Sequence, residues 1–147
     1  MVTPRKPYMP NFADRLVAAC RRTRNPVVVG IDPRFEQLPA PLTAGIDPRD
    51  RMAVAAAYAR FGCTIVDVVA GLVPAVKPQL AFYEQLGLDG MQALKQIVDH
   101  ARTAGLLVIL DGKRNDIGTT AEAYADGMLG ADSPWRGDPL AVSPYLR

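Results

Sequence analysis

Short apolar runs alternate with longer amphipathic segments along most of this chain. The runs predict four β-strands, at residues 26–31, 73–76, 106–110 and 139–143. Apolar residues at helical spacing predict helices at residues 12–23, 49–70, 79–85, 90–104 and 119–129. Strands that alternate with helices are typical of an α/β fold with a parallel sheet and right-handed crossovers. Four βα units fit either a small open sheet or half of an eight-stranded barrel.

Several residues mark where these helices begin and end. Asn11 suits the N-cap of the first helix, and Asp47 is predicted to cap the long second helix near Pro48. Gly62 is a point at which that long helix could break, and Gly105 predicts the end of the helix before the third strand. Four prolines between residues 33 and 48 exclude a regular helix across most of that connection.

Composition places the chain among globular proteins, because apolar residues make up 49% and charged residues 22% of its 147 residues. We see no apolar run near the roughly 20 residues that a membrane helix needs, and no signal-like start. These observations predict a cytoplasmic protein with no membrane partner. The two cysteines lack a CxxC spacing and are expected to be structural thiols.

Positive charge is concentrated at the start of the chain, where residues 1–24 carry six basic side chains and only one acidic one, Asp14. A nucleic-acid-binding arm is one interpretation of this segment. The segment has no recognition motif, and its aromatic residues are not interleaved with the basic ones. A solvated helix face is therefore favoured, and no nucleic-acid partner is expected.

Charged side chains follow three of the predicted strands at the point where each strand ends. Asp32 ends the first strand, Lys77 ends the second, and the third leads into Asp111 and Lys113. Side chains alternate between the faces of a strand, so Asp111 and Lys113 should project on the same face. An isolated charged turn means little by itself. Three charged strand ends in one parallel sheet predict a site, because catalytic groups concentrate at the C-terminal ends of such strands.

Four segments of the chain resemble the orotidine 5′-phosphate decarboxylase family, particularly its longer bacterial form. In order, they are VGIDPR at 29–34, VKPQLAFYEQLG at 76–87, LDGKRNDIGTTAEAYA at 110–125 and VSPYL at 142–146. DGKRNDIG carries the family's specific Asp-x-Lys-x-x-Asp signature. The resemblance implies a (β/α)8 barrel that converts orotidine monophosphate to uridine monophosphate in pyrimidine synthesis, with no cofactor and no metal.

The resemblance also implies roles for individual residues. Lys113 would deliver the proton to the carbon left behind, Asp111 would lie by the leaving carboxylate, and Lys77 would bind both the ribose and the neighbouring carboxylate. Asp32 would contact the substrate ribose. Three further residues would cross a homodimer interface into the partner's site, which makes the active sites shared: Asp116, Ile117 and Thr120.

Related sugar-phosphate decarboxylases and hexulose-phosphate synthases share the signature but use magnesium, which an acid at the end of the second strand helps to hold. Here that position is Lys77. Because a cation there would oppose a divalent metal, the metal-dependent reaction is disfavoured.

A complete member of the family has strands beyond the fourth, and its phosphate-binding arginine comes from that second half. We therefore expect residues 1–147 to be the N-terminal part of one decarboxylase barrel domain, with the C-terminal half absent. We also expect little or no activity from this chain alone. The alternative is a non-catalytic half-barrel that associates with itself or binds nucleotide weakly, which would leave the charged strand ends unexplained.

Overall fold

The structure is a computed structural model that describes residues 11–130 and 132–144. Helices and strands alternate along it, as the apolar pattern predicts. The helices are α1 (Phe12–Thr23), α2 (Ala40–Thr43), α3 (Arg51–Val69), α4 (Ala81–Glu84), α5 (Leu88–Thr103) and α6 (Gly118–Met128). The strands are β1 (Val28–Ile31), β2 (Ala75–Pro78), β3 (Leu107–Val108), β4 (Leu110–Arg114) and β5 (Leu140–Val142).

All strand pairs in the described residues are parallel. β1, β2 and β3 form one sheet in that order, with Gly30 opposite Lys77 at the β1–β2 pair. β4 pairs with β5 in a second sheet. A bridge between Gln79 and Asp111 joins the two, and the Leu80 amide donates to the Asp111 carbonyl at 3.2 Å. The predicted third strand is therefore two short strands that face different neighbours.

The outer face of the sheet is covered by α3 and α5, which pack against each other. Buried residues of α3 include Val54, Tyr58 and Val66, and those of α5 include Leu94 and Ile97. By length and composition alone α3 could span a membrane, which the sequence analysis did not anticipate. The core helix of a globular α/β fold passes the same test, and α3 contributes to this core along its length.

The inner face of the sheet carries a smaller apolar cluster at the N-terminal ends of the strands. Ala19 of α1 packs there with Ala75 of β2 and Leu107 of β3, and Ile109 joins them at the edge. Because side chains alternate along a strand, Asp111 continues the row of Leu107 and Ile109 toward the other end. α1 thus closes one end of the inner face, and the charged residues lie at the opposite end.

The boundaries of two helices test the sequence signals. Asn11 caps α1, since its side chain accepts a hydrogen bond from the Asp14 amide at 2.9 Å. The prediction for Asp47 is wrong: Asp50 caps α3 by accepting from the Ala53 amide at 3.1 Å. Asp47 instead binds the Arg49 guanidinium, so the helix starts three residues later. α3 continues through Gly62 without a break.

A buried carboxylate, Asp138, lies just before β5 at the N-terminal side of the sheet. Its side chain is 2% exposed and binds the guanidinium groups of Arg15 and Arg102. It also accepts a hydrogen bond from the Val108 amide at 2.7 Å. Asp138 therefore ties α1 and α5 to β3. Arg15, which the sequence analysis placed on a solvated face, has a structural partner.

Replacing Asp138 by alanine is expected to lower the free energy of unfolding by about 3 kcal/mol. The substitution leaves a buried amide and two guanidinium groups without their acceptor. Urea denaturation followed by circular dichroism measures the change. Asp47→Ala, which removes an exposed carboxylate that also pairs with an arginine, should leave the midpoint unchanged. An equal midpoint for both variants would contradict the prediction.

Candidate active site

The side chains of Lys77, Asp111 and Lys113 meet at the C-terminal ends of β2 and β4. Lys77 Nζ lies 2.5 Å from Asp111 Oδ2, and Lys113 Nζ lies 2.6 Å from Asp111 Oδ1. Each carboxylate oxygen thus accepts from a different ammonium group. Three of the four strand-end residues that the sequence singled out thus form a contiguous cluster with one negative charge between two positive ones.

Asp111 is the buried member of this cluster, with its side chain only 8% exposed. Burial alone would raise the pKa of its carboxyl, because desolvation disfavours the charged form. Hydrogen bonds and charges from Lys113 and Lys77 outweigh that effect, and the pKa is lowered below its ordinary value. Asp111 is therefore an ionised carboxylate at neutral pH that holds two cations in place.

Lys113 adopts a backbone conformation that a lysine rarely takes. Its φ is +47°, in the left-handed region, and the pairing of β4 with β5 is irregular between Leu110 and Arg114. Simple strand alternation predicted that Lys113 would reach the Asp111 side of the strand. Its ammonium does reach Asp111, but from a chain that has left the extended conformation. The side chain is 62% exposed, so one side of the ammonium faces solvent.

Asp32 follows β1 and is exposed. The β1–β2 register sets the end of β1 beside Lys77, so Asp32 lies at the same edge as the cluster. Its charge also acts on Tyr83, whose side chain is fully buried and whose hydroxyl has no hydrogen-bond partner in the described residues. Burial raises the pKa of the Tyr83 phenol, and the negative charge of Asp32 raises it further.

Asp116, Ile117 and Thr120 lie apart from this cluster, on the connection from β4 to α6 and in the first turn of α6. All three are exposed, Ile117 to 68%. Asp116 accepts a hydrogen bond from the Ile117 amide at 2.9 Å and borders an open groove between α6 and β5. The structure thus separates the predicted site residues into a strand-end cluster and an exposed group.

No role is predicted from the sequence for two residues that the structure brings out, Asp138 at the N-terminal side of the sheet and Arg114 beside the cluster. Asp138 lies in DSPWRGDP, where aspartate next to glycine and proline is typical of a turn, so the sequence carries no signal of its burial. Arg114 likewise has no role predicted from the sequence, although its side chain is only 24% exposed. Within the described ranges, no group of three or more His, Cys, Asp or Glu residues could hold a metal ion.

Comparison with known proteins shows the family to which the chain belongs. The sequence pattern described as the orotidine 5′-phosphate decarboxylase / HUMPS family matches residues 40–146. The chain belongs to this family. The matched residues include Lys77, Asp111 and Lys113 of the strand-end cluster, together with the exposed Asp116.

Individual relatives of the chain are named as orotidine 5′-phosphate decarboxylases. The chain is 56% identical over 142 residues to an orotidine 5′-phosphate decarboxylase of Rhodopirellula baltica, covering 94% of this chain and 47% of that protein. It is 44% identical over 123 residues to one from Streptomyces coelicolor, covering 84% of this chain and 41% of that protein. The chain thus spans about half the length of these relatives.

Solved structures of the family share the fold. A Streptomyces avermitilis protein assigned as an orotidine 5′-phosphate decarboxylase superposes with a TM-score of 0.78 at 39% identity, covering 99% of this chain and 48% of that one. The Leishmania donovani enzyme gives 0.68 at 26% identity, covering 92% and 45%. The described α/β fold corresponds to the first four βα units of the family's (β/α)8 barrel, as the resemblance implies.

Proposed function

We propose that this chain carries the charged half of an orotidine 5′-monophosphate decarboxylase site, which yields uridine monophosphate and carbon dioxide in pyrimidine synthesis. The observation that supports this proposal best is the Lys77–Asp111–Lys113 cluster at the strand ends. Family membership supports it as well. A soluble cytoplasmic enzyme with a small nucleotide substrate and no cofactor is part of the same proposal.

The chemistry calls for positive charge and a proton at one place. When the bond between the ring carbon and the carboxylate breaks, carbon dioxide leaves and the electron pair stays on the ring carbon. Preorganised charge must stabilise that carbanion, since no adjacent carbonyl delocalises it simply. In our proposal the Lys113 ammonium supplies this charge and then gives a proton from Nζ to the ring carbon as general acid.

The remaining residues of the cluster position this acid and the substrate. Asp111 holds Lys113 by the 2.6 Å contact and would lie beside the substrate carboxylate. Lys77 neutralises the other oxygen of Asp111 and would also bind a ribose hydroxyl. Asp32, exposed at the same edge, would accept hydrogen bonds from the ribose. A carboxylate suits that task because it accepts several hydrogen bonds at once.

We also propose a homodimer in which the exposed group completes the partner's site. Asp116, Ile117 and Thr120 are exposed and therefore accessible to another protomer. Ile117 and Val142 are large apolar side chains, each more than 60% exposed, and Val142 lines the groove that Asp116 borders. Exposed apolar surface of this kind is typical of an interface. Asp116 would then join Lys113 of the other protomer.

The 147-residue polypeptide by itself is expected to turn over orotidine monophosphate slowly or not at all. Lys113 is 62% exposed in it, and water around an ammonium group weakens its field on a substrate. The chain also matches only about half of each relative's length. Release of labelled carbon dioxide from carboxyl-labelled substrate measures even slow turnover. Rates typical of a full enzyme would contradict this expectation.

A chimera tests the site itself. This chain, joined to the remaining half of the Rhodopirellula baltica relative, should decarboxylate orotidine monophosphate at a rate near that of the relative, since the strand-end residues are those that the reaction needs. The unmodified Rhodopirellula baltica relative is the positive control. A folded chimera with no turnover would favour the non-catalytic half-barrel.

A further inference from the structure

The guanidinium of Arg114 joins segments of the chain that are distant in sequence. Nη1 donates to the Gly112 carbonyl at 2.7 Å, and Nη2 forms an ion pair with Glu84 of α4. The group also lies over the ring of Tyr124 in α6, 5.6 Å from its centre. On the main chain, the Arg114 carbonyl accepts from the Ser143 amide at 3.0 Å. One residue thus links β4 to α4, α6 and the end of β5.

Lys113 lies between Gly112 and Arg114, which the bond from the Arg114 guanidinium to the Gly112 carbonyl joins. Its φ of +47° is costly for a non-glycine residue, on the order of 1 kcal/mol, so surrounding contacts must maintain it. The bond from Arg114 Nη1 to the Gly112 carbonyl spans Lys113 and closes the chain around it. The ion pair with Glu84 anchors that closed segment to α4.

We propose that Arg114 is a positioning residue, which fixes the backbone of residues 112–114 so that the Lys113 ammonium stays on Asp111. The role of Arg114 in catalysis rests on the proposed function, whereas its effect on the position of the Lys113 ammonium does not. Arginine suits the task because its planar fork can bind a carbonyl and a carboxylate at the same time and stack on an aromatic ring. A lysine has one ammonium and cannot make the same set of contacts.

The titration of Asp111 reports whether Lys113 is in place. The contact with Lys113 lowers the pKa of the Asp111 carboxyl, so losing that contact moves the titration to higher pH. The 13Cγ resonance of Asp111, assigned by its loss in Asp111→Asn, follows this titration in the 147-residue chain without any need for turnover. Lys113→Met sets the full size of the shift.

Three variants distinguish an effect on the position of the Lys113 ammonium from a direct effect of the charges of Arg114 and Glu84 on the Asp111 titration. Arg114→Gln should move the Asp111 titration to higher pH, in the direction of Lys113→Met. Arg114→Lys keeps the charge and should move it in the same direction, because the fork is lost. Glu84→Gln removes a negative charge, which by Coulomb's law would move the titration to lower pH. If Glu84 helps Arg114 to hold Lys113 on Asp111, its replacement loosens that contact, and the Asp111 titration should instead move to higher pH.

Matched controls exclude a general loss of stability. Arg102→Gln breaks the ion pair with Asp138 at the other end of the strands, and Arg49→Gln breaks the exposed pair with Asp47. Both should leave the Asp111 titration where it is in the parent chain. The proposal is overturned if Arg114→Lys titrates like the parent chain or if Glu84→Gln shifts to lower pH. Should Arg114→Gln fail to fold, Arg114→Lys and Glu84→Gln decide the question.

Two separate measurements distinguish the proposed role of Arg114 from the proposed function of the chain. Shifts of the Asp111 titration as described in the 147-residue chain, together with a chimera that does not decarboxylate, would support the role of Arg114 and reject the proposed function. A chimera that decarboxylates, with an Asp111 titration that no Arg114 variant moves, would do the reverse. Neither result depends on the other, since one reads a resonance and the other reads released carbon dioxide.

Discussion

Replacing Lys113 by methionine is expected to lower kcat for orotidine monophosphate by roughly ten-thousand-fold in the chimera with the Rhodopirellula baltica half. The substitution removes both the general acid, which contributes about 10²–10⁴-fold, and the positive charge that stabilises the carbanion. Because both contributions arise in the transition state, kcat should fall far more than KM rises. The measurement is release of labelled carbon dioxide over a range of substrate concentrations.

A second lysine provides the control for this variant. Lys95 pairs with Asp99 one helical turn away on the surface of α5, far from the strand ends. Lys95→Met removes the same charge and leaves the same methylene chain, and it should change kcat by less than about twofold. The assignment of Lys113 as the acid would be rejected if Lys113→Met retained a tenth or more of the parent kcat.

Replacing Gly90 by alanine is expected to lower the free energy of unfolding by about 3 kcal/mol or more. A Cβ atom at this position would lie 1.9 Å from the Tyr83 carbonyl oxygen and 2.8 Å from the Leu86 Cβ. The obstacle is backbone, so α4 and α5 must move apart, and overpacking of this kind costs about 1–3 kcal/mol even where side chains can adjust. Urea denaturation measures the loss.

Gly127 in α6 is the matched control for Gly90, because both glycines are helical. An added Cβ at Gly127 meets no atom within 4 Å. Gly127→Ala should therefore raise the free energy of unfolding by about 0.5–1 kcal/mol, since alanine loses less backbone entropy in a helix. A Gly90→Ala variant as stable as the parent chain would show that α4 and α5 do not approach as closely as described.

The elements that the sequence predicts well are those with a strong local signal. The apolar runs predict where the strands lie along the chain, and charged residues at their ends predict that Lys77, Asp111 and Lys113 lie together. Asn11 as a cap follows from its position before an amphipathic segment. In each case a periodicity of two or 3.6 residues and a change from apolar to polar carry the information.

The features that the sequence does not predict depend on contacts between distant segments. One apolar run becomes β3 and β4 because each part pairs with a different strand, and the run itself contains no breaker. Lys113 takes a left-handed backbone where glycine would be expected, since Arg114 and the pairing with β5 maintain it. The burial of Asp138 depends on Arg15 of α1, Arg102 of α5 and the Val108 amide, which come from segments distant in sequence.

The order of the sheet has a consequence for how the protein reaches its fold. β1 pairs only with β2 among the described strands, so Val28 pairs with Ala75, which is distant in sequence. Contacts between residues far apart in sequence form slowly. α3 and α5 pack closely against each other, and we expect this packing to form before the strands align. The contact of Lys77 with Asp111 needs β2 and β4 together, so we expect it to form only after the transition state for folding, whereas Lys113 lies two residues from Asp111 on the same strand.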